Sequence, residues 1–376
     1  MRPEPMGGTV KSRSVEATRS GGSDPYAQFF KDFKASELCF LPCAARAEPA
    51  ALHRALVDGL LSFGQIGIAE GVGAAMHLYM LTAFATMPLS EADLMHRRDV
   101  FLAMVLKCRF LIANTGSDAQ TRSANAGRSA TDAVRVPGGS VINGAKSFVS
   151  LVEVADVILF TAKSDTGRPV FFVSPMADPA IRVGAPHFDS AFPMHTCSVE
   201  FHDLFVPDNM AFPESASSDV SSHVHIFQRA LFQSLIPAVY LGAATRAMKE
   251  AAIFAKAARL SELDGVHAEL GRSVIHLQGA LAATRVCNGA FENFVRQPSA
   301  LHLQAFVEAA AVAKHVGCGV AAEIVTKVQR FIGTRALEPG HAMAEIARLA
   351  PFGPLHPVVG AQAERQFGRA LLQAAA

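Results

Sequence analysis

The chain has 376 residues, half of them hydrophobic, and a formal net charge of +1 at pH 7. A near-neutral chain without a concentrated run of Lys and Arg is atypical of nucleic-acid-binding proteins, which present a basic face to phosphates. We expect no membrane partner, because no apolar stretch reaches the roughly 18 to 20 residues of a membrane span. The six cysteines are scattered and form no Cys-x-x-Cys pair, which indicates neither a zinc site nor a disulfide framework. A reduced cytoplasmic protein is the plain interpretation.

The first part of the chain changes from polar to helical character. Residues 1–25 are rich in Gly, Ser and Arg and lack an apolar centre, so they are predicted to be a disordered tail rather than a secretory signal. Beyond them, apolar residues such as Leu56, Leu60 and Leu61 recur at helical spacing. We therefore expect an N-terminal helical domain over residues 26–110.

Residues 111–213 change to short β-branched and aromatic runs separated by Gly, Pro, Asn and Asp. The strongest turn signal is Asn143-Gly144, which predicts a hairpin because both residue types tolerate positive φ. Side chains alternate along a strand, so Phe148 and Ser150 are predicted to share one face. An aromatic ring and a hydroxyl so placed could cover a flat ligand ring and hydrogen-bond to it. The region is predicted to be a middle β-domain.

A polar stretch at 213–220 separates this domain from alanine-rich sequence with helical spacing. Four long segments carry the pattern, at 223–260, 264–296, 300–335 and 358–373. Four long consecutive helices indicate an antiparallel bundle, here over residues 221–376.

Three motifs in the middle region connect this organisation with a known family. Residues 114–118 (NTGSD) place a glycine before small polar residues, which lets backbone N–H groups approach a ligand. Residues 141–150 (VINGAKSFVS) hold an asparagine-glycine pair, a lysine, an aromatic residue and a hydroxyl, and residues 199–207 (VEFHDLFVP) end in a valine-proline turn. With the order of helices, strands and helices, they make the chain resemble the acyl-CoA dehydrogenase superfamily over residues 28–370.

The resemblance is to a divergent member of that superfamily, with some likeness to its flavin-dependent monooxygenase branch. It implies an α+β fold with an N-terminal all-α domain, a middle antiparallel β-domain and a C-terminal four-helix bundle. It also implies FAD as the cofactor. Thr115, Gly116 and Ser117 would lie along the flavin, and Phe148 and Ser150 would lie at its ring, with Ser150 near N5, the atom that accepts hydride.

The family's diglycine segment, which meets the FAD of a partner subunit, is reduced in this chain to residues 329–334. Only Gln329 and Gly333 match it. They are the remaining predicted cofactor-binding residues, and the same family feature implies a homodimer or a homotetramer.

The catalytic base departs from the family pattern. Typical members remove the α-proton of an acyl thioester with a glutamate, either early in the first bundle helix or near the C-terminus. The first position aligns with Phe232, and the second falls in residues 350–357, a loop without an acid. Glu345 and Glu364 flank this loop and would serve only if the alignment shifts by a turn.

His356 lies within one residue of the usual C-terminal glutamate position, and imidazole can act as an acid or a base near neutrality. In monooxygenases of this fold, a histidine from this loop and a hydroxyl of the β-domain often stabilise a flavin C4a-hydroperoxide. His356 and Ser150 are therefore the predicted catalytic residues; the simpler interpretation of His356 is a loop histidine without chemistry. His77, Glu70 and Tyr79 could line a substrate pocket, although ordinary core or surface positions are the plainer interpretation.

Three functions remain open. The first is an FAD-dependent oxidoreductase acting on an acyl thioester bound to coenzyme A or a carrier protein, without the usual glutamate. The second is a flavin-dependent monooxygenase that receives reduced flavin from a separate reductase. The third is a degenerate binding protein without redox activity. No metal is expected in any of them.

Overall fold

The computed structural model describes residues 24–115, 131–165, 167, 169–189, 192–213, 224–338 and 340–374. The N-terminal helices are α1 (Pro25–Ala35), α2 (Leu41–Ala44), α3 (Pro49–Ile66), α4 (Ile68–Thr86) and α5 (Ala92–Cys108). The Asp24 carboxylate accepts a hydrogen bond from the Tyr26 N–H at 3.1 Å, which is why aspartate favours a helix start. Nearly every residue of α4 is buried, so this helix is the centre of the N-terminal region.

The middle region forms an eight-stranded sheet within the described residues. Its strands are β1 (Ile112–Thr115), β2 (Thr131–Val136), β3 (Gly139–Ser150), β4 (Val157–Ser164), β5 (Pro169–Pro175), β6 (Ile181–Pro186), β7 (Thr196–Pro207) and β8 (Ala211–Pro213). They follow the order β6-β7-β3-β1-β4-β5-β8, with β2 beside β3 and β4. Most neighbours are antiparallel, as predicted, whereas β4 runs parallel to β1 and β2. The central strand β3 pairs with β1, β2 and β7.

The predicted turn at Asn143-Gly144 is wrong. β3 runs unbroken through both residues, and the hairpin turn precedes it at Pro137-Gly138, where Gly138 has a φ of 80°. Asn143 and Gly144 instead lie at a register shift against β7. The Asn143 side chain exchanges two hydrogen bonds of 2.9 Å with Asp203 across this bulge. Asparagine and glycine suit a bulge as well as a turn, so the dipeptide alone does not distinguish the two.

The C-terminal helices are α6 (Val224–Ala257), α7 (Asp264–Arg296), α8 (Ala300–Ile332), α9 (Ala342–Leu349), α10 (Phe352–Leu355) and α11 (Gly360–Ala374). Helices are confirmed at all four predicted segments, with ends that differ by a few residues. α6, α7 and α8 pack together, and α3 packs against both α6 and α7. The fourth helix of the bundle within this chain is therefore α3, while α11 remains largely exposed.

A continuous cluster of buried side chains joins the helical and strand regions, from Tyr26 to Ala350. The changes from helix to strand and back fall close to the predicted limits of 26–110, 111–213 and 221–376. The division into separate domains stays a prediction, because the three parts share this core.

Two helical windows, Ile68–Thr86 and Ala300–Leu337, are long and apolar enough to cross a membrane by length and composition. The expectation that no stretch reaches this length is therefore wrong. In the first window, 89% of the residues are buried inside the molecule. The apolar character of α4 thus follows from its position as a core helix, surrounded by other elements.

Candidate functional site

Ser150 lies at the end of β3, opposite Asn114 of β1 and Thr196 of β7. It is buried, and its Oγ lies 3.3 Å from Thr196 Oγ1. The Thr196 hydroxyl donates its proton to the carbonyl of Met194 at 3.0 Å. Because a hydroxyl has one proton, Ser150 must be the donor to Thr196. The Ser150 oxygen therefore retains the capacity to accept a hydrogen bond from a ligand.

Phe148 does not share a face with Ser150, contrary to the prediction. The register of β3 against β7 shifts between Lys146 and Val149, and Phe148 has a φ of 57°. The strict alternation of side chains holds only in a regular strand, so the bulge turns Phe148 outward, and its side chain is 50% exposed. His187 stacks on the ring at 4.5 Å and accepts a hydrogen bond from the Phe148 N–H at 3.2 Å.

The other predicted cofactor residues lie in two separate places. Thr115, at the end of β1, is buried, and its hydroxyl donates to the Ser147 carbonyl at 3.3 Å. Gly116 and Ser117 fall outside the described residues. Gln329 and Gly333 lie together at the C-terminal end of α8, where the Gly333 N–H donates to the Gln329 carbonyl.

Gly333 has a φ of 79° and is exposed, with no atom near the position that a Cβ would take. Between this helix end and Ser150 we find no hydrogen bond, ion pair or ring contact in the part of the chain that the structure describes. The structure therefore does not bring the α8 end into contact with the strand residues within one copy of the chain.

His356 follows α10 and is partly buried, with Nε2 at 2.8 Å from the Tyr240 hydroxyl oxygen. Burial, followed by the charge of Lys314, lowers the pKa of His356 to about 3. Burial raises the pKa of Tyr240 well above its ordinary value. Tyr240 therefore keeps its proton and donates it, Nε2 of the neutral imidazole accepts, and the ring proton lies on Nδ1.

Lys314 of α8 holds the loop that carries His356. Its side chain is buried, and Nζ donates to the carbonyls of Pro354 at 2.9 Å and Val358 at 3.1 Å. These two carbonyls lie two residues before and two residues after His356. The lysine thus fixes the loop on both sides of the imidazole.

A row of contacts connects His356 with Ser150. Phe232 packs edge-to-face against both His356 and Tyr79, with centroid distances of 5.6 and 5.3 Å. The Tyr79 hydroxyl donates to the side-chain oxygen of Asn114, and Asn114 is the strand partner of Ser150. The two predicted catalytic residues therefore lie at opposite ends of one row, without a direct contact between them in the described chain.

A second set of aromatic contacts brings Phe148 to the same region. Phe352 of α10 packs edge-to-face on Phe188 at 5.0 Å, and Phe188 lies 6.3 Å from Phe148. The loop before β7 therefore bridges α10 and the outward-facing ring of β3.

The weaker candidates divide between core and surface. His77 is a core residue: Nδ1 accepts from the Ile112 N–H at 3.1 Å, and Nε2 donates to the Cys39 carbonyl at 2.9 Å. Glu364 is exposed and lies 3.8 Å from His315. Glu345 is half-buried. Neither glutamate hydrogen-bonds to His356 within the described residues.

Tyr240 and Lys314 are functional candidates that sequence reasoning missed. A signal for Lys314 was present, because it lies on the buried face of α8 together with Ala310, Ala313 and Gly317. A lysine on an apolar helix face is rarely buried without partners. Tyr240 is one of only three tyrosines, but its partner could not be identified without the tertiary structure.

The end of β3 fits a flavin in two respects. Ser150 offers a buried oxygen that can still accept a hydrogen bond, and Phe148 presents an exposed aromatic ring. His187 covers one face of that ring, so a flat ligand would meet the remaining exposed part or displace the imidazole.

A separate cavity of about 210 Å³ lies between α5 and the sheet, lined by Arg97, Arg135, Ser140 and Phe172 among others. Both arginines are ion-paired to aspartates at 2.6 Å, Arg97 to Asp93 and Arg135 to Asp208. The cavity contains none of the predicted site residues, and its charges are balanced internally. We assign no function to it.

No protein-family model and no curated protein matches the chain, whereas solved structures do. FMN-bound TdsC from Paenibacillus sp. A11-2, a dibenzothiophene monooxygenase, aligns at 20% identity over 93% of this chain and 91% of that one, with a TM-score of 0.77. A nitrososynthase from Micromonospora carbonacea var. africana aligns at 17% identity over 91% and 88% of the two chains, with a TM-score of 0.75. Butyryl-CoA dehydrogenase from Megasphaera elsdenii aligns at 15% identity over 92% and 97%, with a TM-score of 0.69. The chain therefore has the acyl-CoA dehydrogenase fold, and the predicted fold class is confirmed.

Proposed function

We propose that the chain is a flavin-dependent oxidoreductase, and that monooxygenase chemistry is the activity its site supports best. The observation that carries this proposal is the hydrogen bond from Tyr240 to Nε2 of His356 at 2.8 Å. A bound flavin would supply the redox chemistry, including the reaction with oxygen.

The protonation state of His356 favours a role as a hydrogen-bond donor over a role as a general base. A general base needs a free ring nitrogen and a pKa near the working pH. Nε2 already accepts from Tyr240, and the pKa of His356 lies near 3. The group left for a ligand is Nδ1–H, which can donate to an oxygen atom without giving up its proton. Stabilising a bound oxygen is the role that fits this arrangement.

Ser150 and Thr115 are the buried residues that would hold the flavin from the sheet, and Phe148 would meet it only with the part of its outward-facing ring that His187 leaves uncovered. Gln329 and Gly333 would hold the cofactor of a neighbouring subunit, because they lie apart from the strand residues within one chain. The cofactor can be FAD, as the resemblance implies, or FMN, which TdsC binds.

Oxidation of an acyl thioester, carried by coenzyme A or a carrier protein, is the second candidate. The structural likeness to butyryl-CoA dehydrogenase supports it. This reaction needs a base for the α-proton, and the aligned positions hold Phe232 and a loop without an acid. His356 is poorly suited to that role, so we rank this function below the monooxygenase.

Flavin binding is the first test. Visible spectra of the purified protein are recorded with and without added FAD or FMN, and we expect one of them to bind. If neither binds, both redox functions are wrong and a non-redox binding protein remains.

Stopped-flow spectra then separate the two redox functions. Reduced protein mixed with oxygen should give a transient absorbance distinct from both oxidised and reduced flavin. We expect Ser150→Ala and His356→Ala to shorten its lifetime, and the double variant to show whether the two residues act together. Bleaching of the oxidised flavin by an acyl thioester, without such a transient, would favour the dehydrogenase instead.

Self-association is part of the proposal, because one face of α7 is exposed and apolar. Ile275 and Val286 are 71% and 64% exposed, and with the exposed small residues Gly279, Ala282 and Gly289 they repeat at the 3–4 spacing of a helix-packing seam. We expect Ile275→Glu with Val286→Glu to lower the mass measured by size-exclusion chromatography with light scattering. Val134→Glu, at an equally exposed site on β2, is the control and should leave the mass unchanged. A monomeric parent protein contradicts this part of the proposal.

A further inference from the structure

The imidazole of His187 occupies the outward-facing ring of Phe148. The two rings are stacked, with centroids 4.5 Å apart and an angle of 27° between their planes. The Phe148 N–H also donates to Nε2 of His187 at 3.2 Å, so this nitrogen carries no proton. One side chain therefore supplies both a flat ring over Phe148 and a hydrogen-bond acceptor for its backbone.

The backbone of His187 is fixed, whereas its side chain is held only weakly. The His187 N–H donates to the Thr196 carbonyl at 2.8 Å, and the next residue, Phe188, packs edge-to-face on Phe352. The His187 side chain is exposed. Within the described part of the chain, its imidazole makes no ion pair and no hydrogen bond other than the one with Phe148. The imidazole can therefore rotate away from Phe148 while the backbone stays in place, because exposed side chains change rotamer readily.

The contact between the two rings lies at the strand end that carries Ser150. Thr196 holds the His187 N–H with its carbonyl, and its hydroxyl oxygen lies 3.3 Å from that of Ser150. Thr196 and Ser150 are also direct partners in the pairing of β3 with β7. A planar ligand that reaches Ser150 therefore arrives beside the imidazole of His187.

The backbone around this strand end is strained. Phe148, Leu151 and His195 have positive φ angles of 57°, 70° and 47°, in a region that residues with a Cβ seldom adopt. Phe148 is also 50% exposed, which leaves apolar ring area in water. Backbone strain of this kind is concentrated at active sites and ligand sites. A ligand that covers the Phe148 ring explains its outward position better than the stability of the free protein does.

We propose that His187 is a gate residue: its imidazole occupies the place of a planar ligand ring at Phe148 and rotates away when that ligand binds. A ligand that replaces both contacts of the imidazole has a flat aromatic ring and an acceptor for the Phe148 N–H. The isoalloxazine ring of a flavin has both, because its carbonyl oxygens can accept hydrogen bonds. A planar hydrocarbon has only the ring. The assignment rests on the proposed function in taking flavin as the ligand.

The gate lowers the affinity for flavin. With the imidazole in place, a flavin meets only the uncovered part of the Phe148 ring, and full contact requires that a ring stack and a hydrogen bond be broken first. The apparent Kd of a ligand rises when the state that binds it is a minor one. An aromatic pair and a neutral hydrogen bond together correspond to about tenfold in affinity. Removing the imidazole should therefore strengthen flavin binding.

Flavin titrations of His187 variants test the gate. FMN and FAD are added to the flavin-free protein, and the change in flavin fluorescence gives the Kd. We expect His187→Ala to lower the Kd by about tenfold, whereas His187→Phe keeps a ring over Phe148 and should not lower it. His202→Ala, at an exposed histidine of β7 that lies 3.1 Å from Glu200, is the matched control and should bind flavin like the parent. An unchanged or higher Kd in His187→Ala, or an equal fall in both His187 variants, overturns the proposal.

NMR of the flavin-free protein gives a readout that does not depend on affinity. The carbon-bound protons of an imidazole stacked on a phenyl ring are shifted upfield by the ring current. We expect the His187 signals, identified by their absence in His187→Ala, to show this shift and to lose it when FMN binds. Signals that keep the shift in the FMN complex would contradict the gate.

Failure of the gate can be distinguished from failure of the proposed function. Flavin binding with the same Kd in the parent and in His187→Ala contradicts the gate alone. Tighter flavin binding in His187→Ala, without a transient when the reduced protein meets oxygen, contradicts the monooxygenase function alone. Absence of flavin binding in both proteins contradicts the gate and the redox function together.

Discussion

The chemistry of His356 depends on the one proton of its neutral ring. Tyr240 donates to Nε2, so the proton must lie on Nδ1, and the ring offers a donor to any ligand. The residue was predictable as a candidate from its position in the sequence. Its tautomer was not, because Tyr240 lies 116 residues away along the chain and only the fold brings the two together.

Tyr240→Phe tests this arrangement directly. Nε2 would lose its donor in partly buried surroundings, so we expect the free energy of unfolding to fall by about 1 kcal/mol. The ring should also redistribute between its two tautomers, which ¹⁵N NMR of labelled histidine measures. A parent protein that already shows the proton on Nε2 would contradict the assignment.

The loop that carries His356 is held by α8 through Lys314. We expect Lys314→Met to free this loop and to raise the pKa of His356 toward its ordinary value, because the variant removes a nearby positive charge and lets water reach the ring. NMR titration of the imidazole and hydrogen exchange of residues 354–358 would measure both effects.

Lys327→Met is the control for this variant on the same helix. Lys327 forms an ion pair with Glu323 at 2.6 Å on the partly exposed side of α8, and pairs of this kind contribute little to stability. Lys327→Met should therefore leave the titration of His356 unchanged. An unchanged titration in Lys314→Met as well would show that the loop is held by other contacts.

Another prediction concerns the crossing of α3 and α6. A Cβ on Gly64 would collide with the backbone carbonyl of Val239, and one on Gly242 would collide with that of Leu61. The two helix backbones therefore meet at these glycines. We expect Gly64→Ala to lower the free energy of unfolding by about 1–3 kcal/mol, since the helices must move apart.

Gly319→Ala on α8 is the matched control, because nothing lies near its Cβ position. Alanine is the better helix former, so this variant should raise stability by about 0.5–1 kcal/mol. Urea unfolding of both variants measures the free energy of unfolding, which should fall in Gly64→Ala and rise in the control. Equal effects at the two positions would mean that the close approach of α3 and α6 is wrong.

For the molecule as a whole, buried histidines make stability depend on pH. Burial lowers the pKa of His53 and of His77 to about 4, whereas an unfolded histidine titrates near 6.5. Between these values the unfolded chain binds protons that the folded chain does not. Their contribution to stability is therefore complete above about pH 6.5 and is lost as the pH falls toward 4.

We expect the free energy of unfolding to fall by up to about 1.4 kcal/mol per pH unit for each of these histidines across that window. His53→Gln should reduce the slope, because glutamine does not titrate. Urea unfolding at several pH values from 7 to 4 measures it. A slope that is identical in the parent and in His53→Gln would contradict the prediction.

Local patterns in the sequence were sufficient for the order of helices, strands and helices, whereas the candidates Ser150 and His356 came from the resemblance to the acyl-CoA dehydrogenase superfamily. Helical spacing and turn residues act within a few residues of one another, so they can be read from one stretch of chain. Other features arise from contacts between distant parts of the chain. The bulge that turns Phe148 away from Ser150 exists because β3 must pair with β7, and α3 completes the bundle because its glycine meets the backbone of α6. The proton position on His356 likewise depends on Tyr240, a neighbour that only tertiary packing supplies.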